Sequence, residues 1–441
     1  MPFRTVIYWF RNDLRLGDNL ALLEACRTAA QLLPVYCHDP AAEATTRWGF
    51  VRRGQHRRAF LAAALDDLDA QLRARGSRLL QLRGAPAEVL PALARAIGAD
   101  AVVCEAIAAP QEEEELAAVR AAGLPAKAVW QSSLLDPASL PFAVARLPKV
   151  FTAFRQAVES ARLEPAAPLA RPEALPPCPP LASLNGVPIA GGGDRGDCKE
   201  EMGAERCGEA SFPWWQPGFA GGEHAALAHL ARYFGGDLAK HYKATRNGLS
   251  GVDFSSKFSP WLAQGALSPR VAFAALRCHE AEQGASEGSY WLWFELLWRD
   301  YFRFLHLQHG RRLYRARGLN DRAPPPAHDP AAFAAWCAGR TGHAFIDAGM
   351  RELAATGWLS NRMRQVVASY LIHELGCDWR AGAAWFEAQL VDYDVYSNQG
   401  NWLYIAGRGT DPRGGRRFDP DGQAAIYDAD SRYRRLWSGR P

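Results

Sequence analysis

Thr5-Val-Ile-Tyr-Trp-Phe10, running directly into Arg11-Asn12-Asp13, decides the fold of the first part of the chain. This short apolar run predicts a strand, and similar runs recur at residues 32–37, 79–82, 101–104 and 126–130. Segments between them, such as 53–75 and 112–122, carry the apolar spacing of helices. Strand and helix in alternation predict an α/β domain built on a doubly wound parallel sheet. Ligands of such folds bind beyond the carboxyl ends of the strands, which singles out residues 10–13 and His38-Asp39. Neither stretch carries a Gly-rich dinucleotide fingerprint.

At 441 residues the chain is too long for a single core. Residues 1–135 are expected to form the α/β domain, 136–222 a connector that is Pro- and Gly-rich from about residue 165, and 223–441 an all-α domain. The connector contains Pro176-Pro177-Cys178-Pro179-Pro180 and Gly191-Gly-Gly-Asp-Arg-Gly196. The second stretch formally matches G-x-G-x-x-G. No strand precedes it and no helix with a downstream acid follows, so a disordered or surface-hugging linker is expected instead of a nucleotide site. Helices are predicted over residues 289–309, closed by Gly310, over 359–375, closed by Gly376, and over 379–390.

The net charge of +4 is mild for this length, so the clusters Arg311-Arg312, Arg416-Arg417 and Arg434-Arg435 matter more than the total. They permit nucleic-acid contact without requiring it. Nine cysteines are scattered, with no C-x-x-C pair and no His at zinc-ligand spacing, which predicts a reduced, cytoplasmic protein without a metal site. The first strand leaves no room for a signal or transit peptide, and no apolar run is long enough to span a bilayer. Fifteen tryptophans are many; such an excess fills cores, but it also suits stacking surfaces and electron-transfer chains.

The chemistry concentrates in the second half. Asp392-Tyr-Asp-Val-Tyr-Ser-Asn398-Gln-Gly-Asn-Trp402 places two carboxylates, an amide and a tryptophan on one Gly-broken segment, expected as a turn able to hold a flat, redox-active ring. Asn361-Arg-Met-Arg364-Gln365 supplies a cation for one acid, leaving the other to accept a hydrogen bond from a heterocycle N–H. On the 289–309 helix, Glu295, Trp298, Arg299 and Phe302 share one face, either lining a cavity or forming a half-exposed stripe with an intrahelical ion pair. In Ser255-Ser256-Lys257-Phe258-Ser259-Pro260, Ser259 is expected as an N-cap and Pro260 as the first helical residue. The free N–H groups there, with the serines and Lys257 as further donors, suit a pyrophosphate.

These stretches, with Lys240-His-Tyr-Lys-Ala-Thr-Arg-Asn247, residues 291–304, Thr341-Gly-His to Gln365, and Asp378-Trp-Arg through Trp402, resemble the photolyase and cryptochrome flavoproteins in order and spacing. The resemblance covers nearly the whole chain apart from the connector. It is nearest to the DASH-type branch, whose hallmarks include Ser-Lys-Phe-Ser-Pro, Trp-Arg-Asp-Tyr-Phe and Asn-Arg-Met-Arg-Gln. It implies a U-shaped FAD in the helical domain. Tyr242, Ser255, Ser256, Phe258, Ser259 and Arg299 match the positions that hold its phosphates and ribityl chain. Arg364 and Asp392 match an ion pair over the flavin edge, Asp394 the acceptor near the ring N–H, and Asn398 the amide facing N5.

The resemblance also implies light-driven repair of cyclobutane pyrimidine dimers: excited reduced FAD gives an electron to the dimer, the ring opens, and the electron returns. Glu295, Trp298, Asn361, Gln365 and Tyr404 match the cavity for the flipped-out lesion. Tyr404 and Gln365 stand where duplex-acting relatives carry tryptophan and methionine, which predicts a preference for single-stranded DNA. Arg408, Arg413 and Arg417 are the expected phosphate contacts. The other reading, a blue-light photosensor, is disfavoured by Glu295, Trp298 and Asn398 and by a chain ending soon after Leu436-Trp437. A monomer is expected.

Two positions depart from the family pattern. Trp402 and Trp379 match the inner and middle members of the reducing tryptophan chain, but the outer one would fall near Pro326, in the Trp-free run Pro324-Pro-Pro-Ala-His-Asp329. Trp336 or a nearby tyrosine is the expected substitute. DASH-type relatives usually bind methenyltetrahydrofolate as an antenna, through a glutamate shortly after the fourth strand. Here that position reads Ala106, unless the register slips to Glu105.

Overall fold

The computed structural model describes residues 3–181, 184, 186–190 and 210–438. Five strands, β1 (Phe3–Phe10), β2 (Ala29–His38), β3 (Leu80–Arg83), β4 (Ala101–Glu105) and β5 (Ala126–Val129), form one parallel sheet in the order β3-β2-β1-β4-β5. β1 is central because it is apolar on both faces: Val6, Tyr8 and Phe10 enter one core layer, Ile7 and Trp9 the other. Helices Leu20–Thr28 and Gln55–Arg73 pack on the first face, Pro86–Ile97 and Pro110–Ala121 on the second. The doubly wound arrangement is the one the strand and helix alternation implies. Strand order reverses between β1 and β4, and at the carboxyl ends there Phe10, Arg11, Asn12 and Asp39 line a cavity of about 130 Å³.

The described part of the connector hugs this domain. Leu169 exchanges backbone and side-chain hydrogen bonds with Asp18, Leu32 N–H donates to Pro177 at 3.1 Å, and Ile189 forms an antiparallel bridge with Leu82. That bridge covers the exposed edge of β3, which would otherwise offer unpaired backbone groups. The G-x-G-x-x-G match at 191–196 lies outside the described residues.

The C-terminal part is helical. The predicted long helix runs over Glu287–His309, opened by a reciprocal Ser286–Ser289 capping box and ended at Gly310. The other two occupy Asn361–His373 and Trp379–Gln389. Two glycines let neighbouring helices approach it: a Cβ on Gly288 would lie 2.2 Å from the Ala239 carbonyl, and one on Gly400 2.1 Å from the Phe302 ring. Among the described residues no helix is long and apolar enough to cross a membrane, and no cluster of side chains could hold a metal ion.

Buried acids tie the two parts together. Asp300, inside the long helix, accepts from the N–H groups of Leu134 (2.8 Å) and Leu135 (2.7 Å). Glu223 accepts from Leu16 and Gly17, each at 2.9 Å, and Asp18 pairs with Arg270 at 2.6 Å. At the tightest contact Leu14 N–H donates to Gln264 and the Arg15 guanidinium to Gly265. Gly265 sits at φ +68°, and an added Cβ would fall 1.9 Å from the Asn12 carbonyl oxygen. Gly265→Ala should therefore destabilise the protein by about 1–3 kcal/mol from the left-handed backbone alone, with the clash adding to it. The midpoint and slope of urea unfolding measure this.

Candidate active site

The helices Leu238–Thr245, Glu287–His309, Asn361–His373 and Val395–Ile405 surround a cavity of about 380 Å³, adjoined by a second lobe of about 100 Å³. Glu295, Trp298, Arg299 and Phe302 all line it, as do Asn361, Arg364 and Gln365 from the facing helix. The half-exposed stripe with an intrahelical pair is not what forms. Glu295 pairs with Arg246 across to a different element, at 2.8 Å, and the Arg299 guanidinium donates to the carbonyls of Ser132 (2.6 Å) and Leu262 (3.1 Å). Burial and the neighbouring Arg303 bring the Arg299 pKa down to about 9.

The clamp is built from the loop entering the Val395–Ile405 helix. Asp392 Oδ2 accepts from Arg364 Nη2 at 2.8 Å and from Ser259 Oγ at 2.7 Å. Its Oδ1 is buried with no partner in the protein. Asp394 caps the helix by accepting from Ser397 N–H at 2.8 Å and is paired with Arg303 at 2.6 Å. Burial pushes the Asp394 carboxyl up, but Arg303 and Arg299 outweigh it and hold the pKa at about 2. Each acid thus has its own cation, and the acceptor left over belongs to Asp392. The segment is not the expected turn: Asn398 and Trp402 lie four residues apart on a helix, with Gly400 where that helix meets Phe302. Asn398 Nδ2 donates to the Ala383 carbonyl at 3.0 Å, so its Oδ1 is what it offers to the smaller lobe. Trp402 also lines that lobe, while Trp379 is buried in the same core and donates its indole N–H to Ala316.

The hydroxyl-rich stretch needs one correction. The short helix there runs over Ser259–Gln264, so Phe258 occupies the cap position, and Ser259 uses its hydroxyl on Asp392. Lys257 lines the cavity beside the serines, and its ammonium has no hydrogen-bond partner in the protein. It adopts φ +57° and buries its ammonium over the rings of Phe254 (3.4 Å) and Trp358 (3.8 Å), where burial pushes its pKa well down. Tyr242, Ser255, Ser256 and Phe258 line the cavity as expected, although the Phe258 ring packs among His229, Tyr233 and Phe234.

At the mouth, Phe151 stacks on Trp298 with centroids 3.8 Å apart and fixes the plane of the indole. Tyr404 meets Trp298 edge-on at 6.1 Å and lies under the Arg416 guanidinium. A third of the Glu295 side chain is accessible, and the residue lines the cavity. Burial raises its pKa, and Arg246 partly offsets that.

Of the expected phosphate contacts, Arg413 lines an adjoining pocket of about 70 Å³ that shares Trp298, Phe302 and Tyr404 with the main cavity, and it pairs with Asp411. Arg408 donates to the Pro324 carbonyl, and Arg417 pairs with Glu374. Arg246, Arg303 and Arg416 are the site cations that the sequence analysis missed. Arg303 follows Arg299 by one helical turn, a spacing that could have marked it.

Residues 6–175 match the family model described as DNA photolyase, and residues 291–439 match the FAD binding domain of DNA photolyase. A cryptochrome DASH from Xenopus laevis is 44% identical over 99% of this chain and 83% of its own length. The chain belongs to the cryptochrome DASH branch of the photolyase family. A crystal structure of a Synechocystis cryptochrome superimposes with a TM-score of 0.89 at 39% identity, covering 99% of this chain and 89% of that one. A class III photolyase from Agrobacterium tumefaciens gives 0.78 at 30% identity, covering 99% and 87%.

The helical domain is therefore an FAD-binding domain, and the residues present suit the group. A buried carboxylate oxygen without a partner is costly, and Asp392 Oδ1 is such an atom at the wall of a partly apolar cavity. A ring N–H would satisfy it. The folate antenna fares differently. Ala106 N–H is bonded to Val129, and Glu105 is buried in β4, where burial and Asp13 raise its pKa to about 8. Neither lines the 130 Å³ cavity between the domains, where Glu112 and Glu115, on the helix that follows β4, do.

Asp394→Asn should leave Arg303 buried without its ion partner and cost about 3–5 kcal/mol. Because the Asp394 pKa is lowered from 3.8 to about 2 on folding, its contribution is complete above about pH 4 and disappears as the pH falls toward 2. Urea unfolding between pH 7 and pH 2 should show that acid limb shallower in the variant.

Proposed function

We propose that this protein is a photolyase-type lyase that splits cyclobutane pyrimidine dimers, preferentially in single-stranded DNA. In this reading it is a cytoplasmic monomer, with residues 1–135 and 223–441 as its domains and 136–222 as the connector. One observation carries the proposal: Glu295, Trp298, Asn361, Gln365 and Tyr404 line the same cavity as the Asp392–Arg364 pair. A base pushed through the mouth would come to rest beside whatever the pair holds.

Bound in reduced form, FAD would supply on illumination one electron for the lesion and recover it after ring opening. The protein's own residues position and polarise. Arg364, Asp392 and Ser259 form a fixed hydrogen-bonded set at one wall, and Asn398 presents a carbonyl oxygen to the smaller lobe. Trp298, locked by Phe151, and Tyr404 supply rings that replace the stacking an extruded dimer loses. Glu295, with its raised pKa, can remain protonated and donate to a pyrimidine carbonyl, while Arg246 sets its direction. Asn361 and Gln365 add amide donors and acceptors from the opposite helix.

Single-strand preference follows from the polarity of that mouth. Unpairing a duplex costs a few kcal/mol more than flipping from a single strand, roughly. Gln365 and Tyr404 offer less apolar surface against that cost than larger apolar side chains would.

The decisive assay is repair of ultraviolet-irradiated oligo(dT) by the chemically reduced, FAD-loaded protein under light, in single strands and in duplex. Glu295→Ala should lower the repair rate by about 10²-fold, the range for loss of one donor at a reacting centre, and Asn398→Asp should also weaken repair. The donor form of Glu295 is present below its raised pKa, so repair should fall as pH climbs through that value, and Glu295→Gln should flatten the limb. Full repair by Glu295→Ala would overturn the site assignment; flavin photoreduction without any repair would favour the photosensor.

A further inference from the structure

We propose that the pocket of about 70 Å³ beside the lesion cavity takes the methyl-bearing edge of a thymine that flanks the dimer on the same strand. The inference rests on the repair reading above and adds a second base to the substrate that reading names.

Pocket and cavity share Trp298, Phe302 and Tyr404, so they are neighbours across one layer of side chains. Van der Waals contact on both sides of such a layer sets the two occupants about 7 Å apart. Within a duplex strand, stacking holds successive bases at about 3.4 Å, so a flanking base reaches the pocket only by leaving the stack and its partner. An unpaired strand is free to extend across that distance. The pocket therefore adds a contact that single-stranded DNA makes at little cost and duplex DNA does not.

The lining selects the kind of group that enters. Leu305, Leu313 and Leu403 are buried and give the pocket an apolar interior. A cavity of about 150 Å³ holds a benzene ring, so this smaller one admits a methyl group and the carbons beside it while the polar edge of the base stays outside. That is the edge that distinguishes thymine from the other pyrimidines. Lys149, Thr152 and Arg413 are the exposed members of the lining, which places the opening between the connector and the 409–413 loop.

The opening is preformed and positive. The Tyr301 hydroxyl donates to the Lys149 carbonyl at 2.7 Å and lies 3.2 Å from Thr410 Oγ, so the long helix holds both rims at once. Among the described residues the Lys149 ammonium has no acidic partner. Arg413 and Arg416 share the single carboxylate of Asp411, at 3.1 and 3.3 Å, which leaves that trio with a net positive charge. The phosphate joining the flanking nucleotide to the dimer thus meets cations as its base meets the leucines.

The test uses single-stranded oligonucleotides carrying one thymine dimer, bound in the dark by the FAD-loaded protein and followed by fluorescence anisotropy. The nucleotide on one side of the dimer, and then on the other, is thymidine, deoxyuridine or an abasic residue. On one side only, deoxyuridine should bind about fourfold more weakly than thymidine, the effect of one buried methyl, and the abasic residue more weakly still. Gly409→Leu should erase that dependence. Gly409 lies outside the left-handed region, and an added Cβ would meet nothing closer than Leu403 at 3.5 Å, so the pocket can be filled without moving the backbone. Thr152→Phe, at an exposed position of the opposite rim, should have the same effect. Equal affinity for the three nucleotides on both sides, or a dependence that survives in both variants, would overturn the proposal. Illumination after chemical reduction tells the two readings apart: repair of every strand together with equal affinities removes this proposal alone, and absence of repair removes the reading on which it rests.

Discussion

Two guanidinium–carboxylate pairs, Arg364–Asp392 and Arg303–Asp394, hold the site in its shape. Four charges enclosed among apolar helices are tolerable only because each is paired at hydrogen-bond distance. The pairs are not equivalent. Asp394 is engaged by Arg303 and by the Ser397 N–H at the start of its own helix, so it anchors the clamp to the fold. Asp392 takes two donors on one oxygen and none on the other, so of these two acids it is the one that keeps a buried acceptor in reserve. A structural pair and a recognition pair, two residues apart, let the helix entrance be rigid and still incomplete without a ligand.

The same use of buried acids extends to the domain contact. Asp300 holds residues 134 and 135 against the long helix from which Glu295, Trp298 and Arg299 project. Arg299 in turn reaches back to Ser132. The segment leaving the α/β domain is thereby fastened to the helix that forms one wall of the cavity. Phe151, contributed from the start of the connector, stacks on Trp298. The connector therefore shapes one side of a cavity whose lining is entirely C-terminal.

Much of this was legible in the chain because periodicity and local caps are local properties. The five strands, the Glu287–His309 helix and the Arg364–Asp392 pair follow from spacing or from motif resemblance. What escaped depends on three-dimensional partners. Lys257 lies at the cavity beside the serines, but its left-handed backbone and its seat over the rings of Phe254 and Trp358 follow from no spacing rule. Ser259 looked like a cap because Pro260 follows it, but the helix begins one residue sooner and Asp392 claims the hydroxyl. Arg246 and Arg303 lie far in sequence from the acids they serve, or on a turn whose facing partner no spacing rule identifies.

The aromatic residues show why composition alone could not distinguish core from conduit. Trp336, Phe386 and Phe333 are ordinary core side chains by burial, and each contributes apolar area whatever else it does. Their distinguishing property is contiguity, from Trp402 at the lobe to Trp48 at the surface, through contacts of 6.5 Å or less. Packing at crystal-like density makes such contacts common in any aromatic-rich core, so contiguity by itself confers no function.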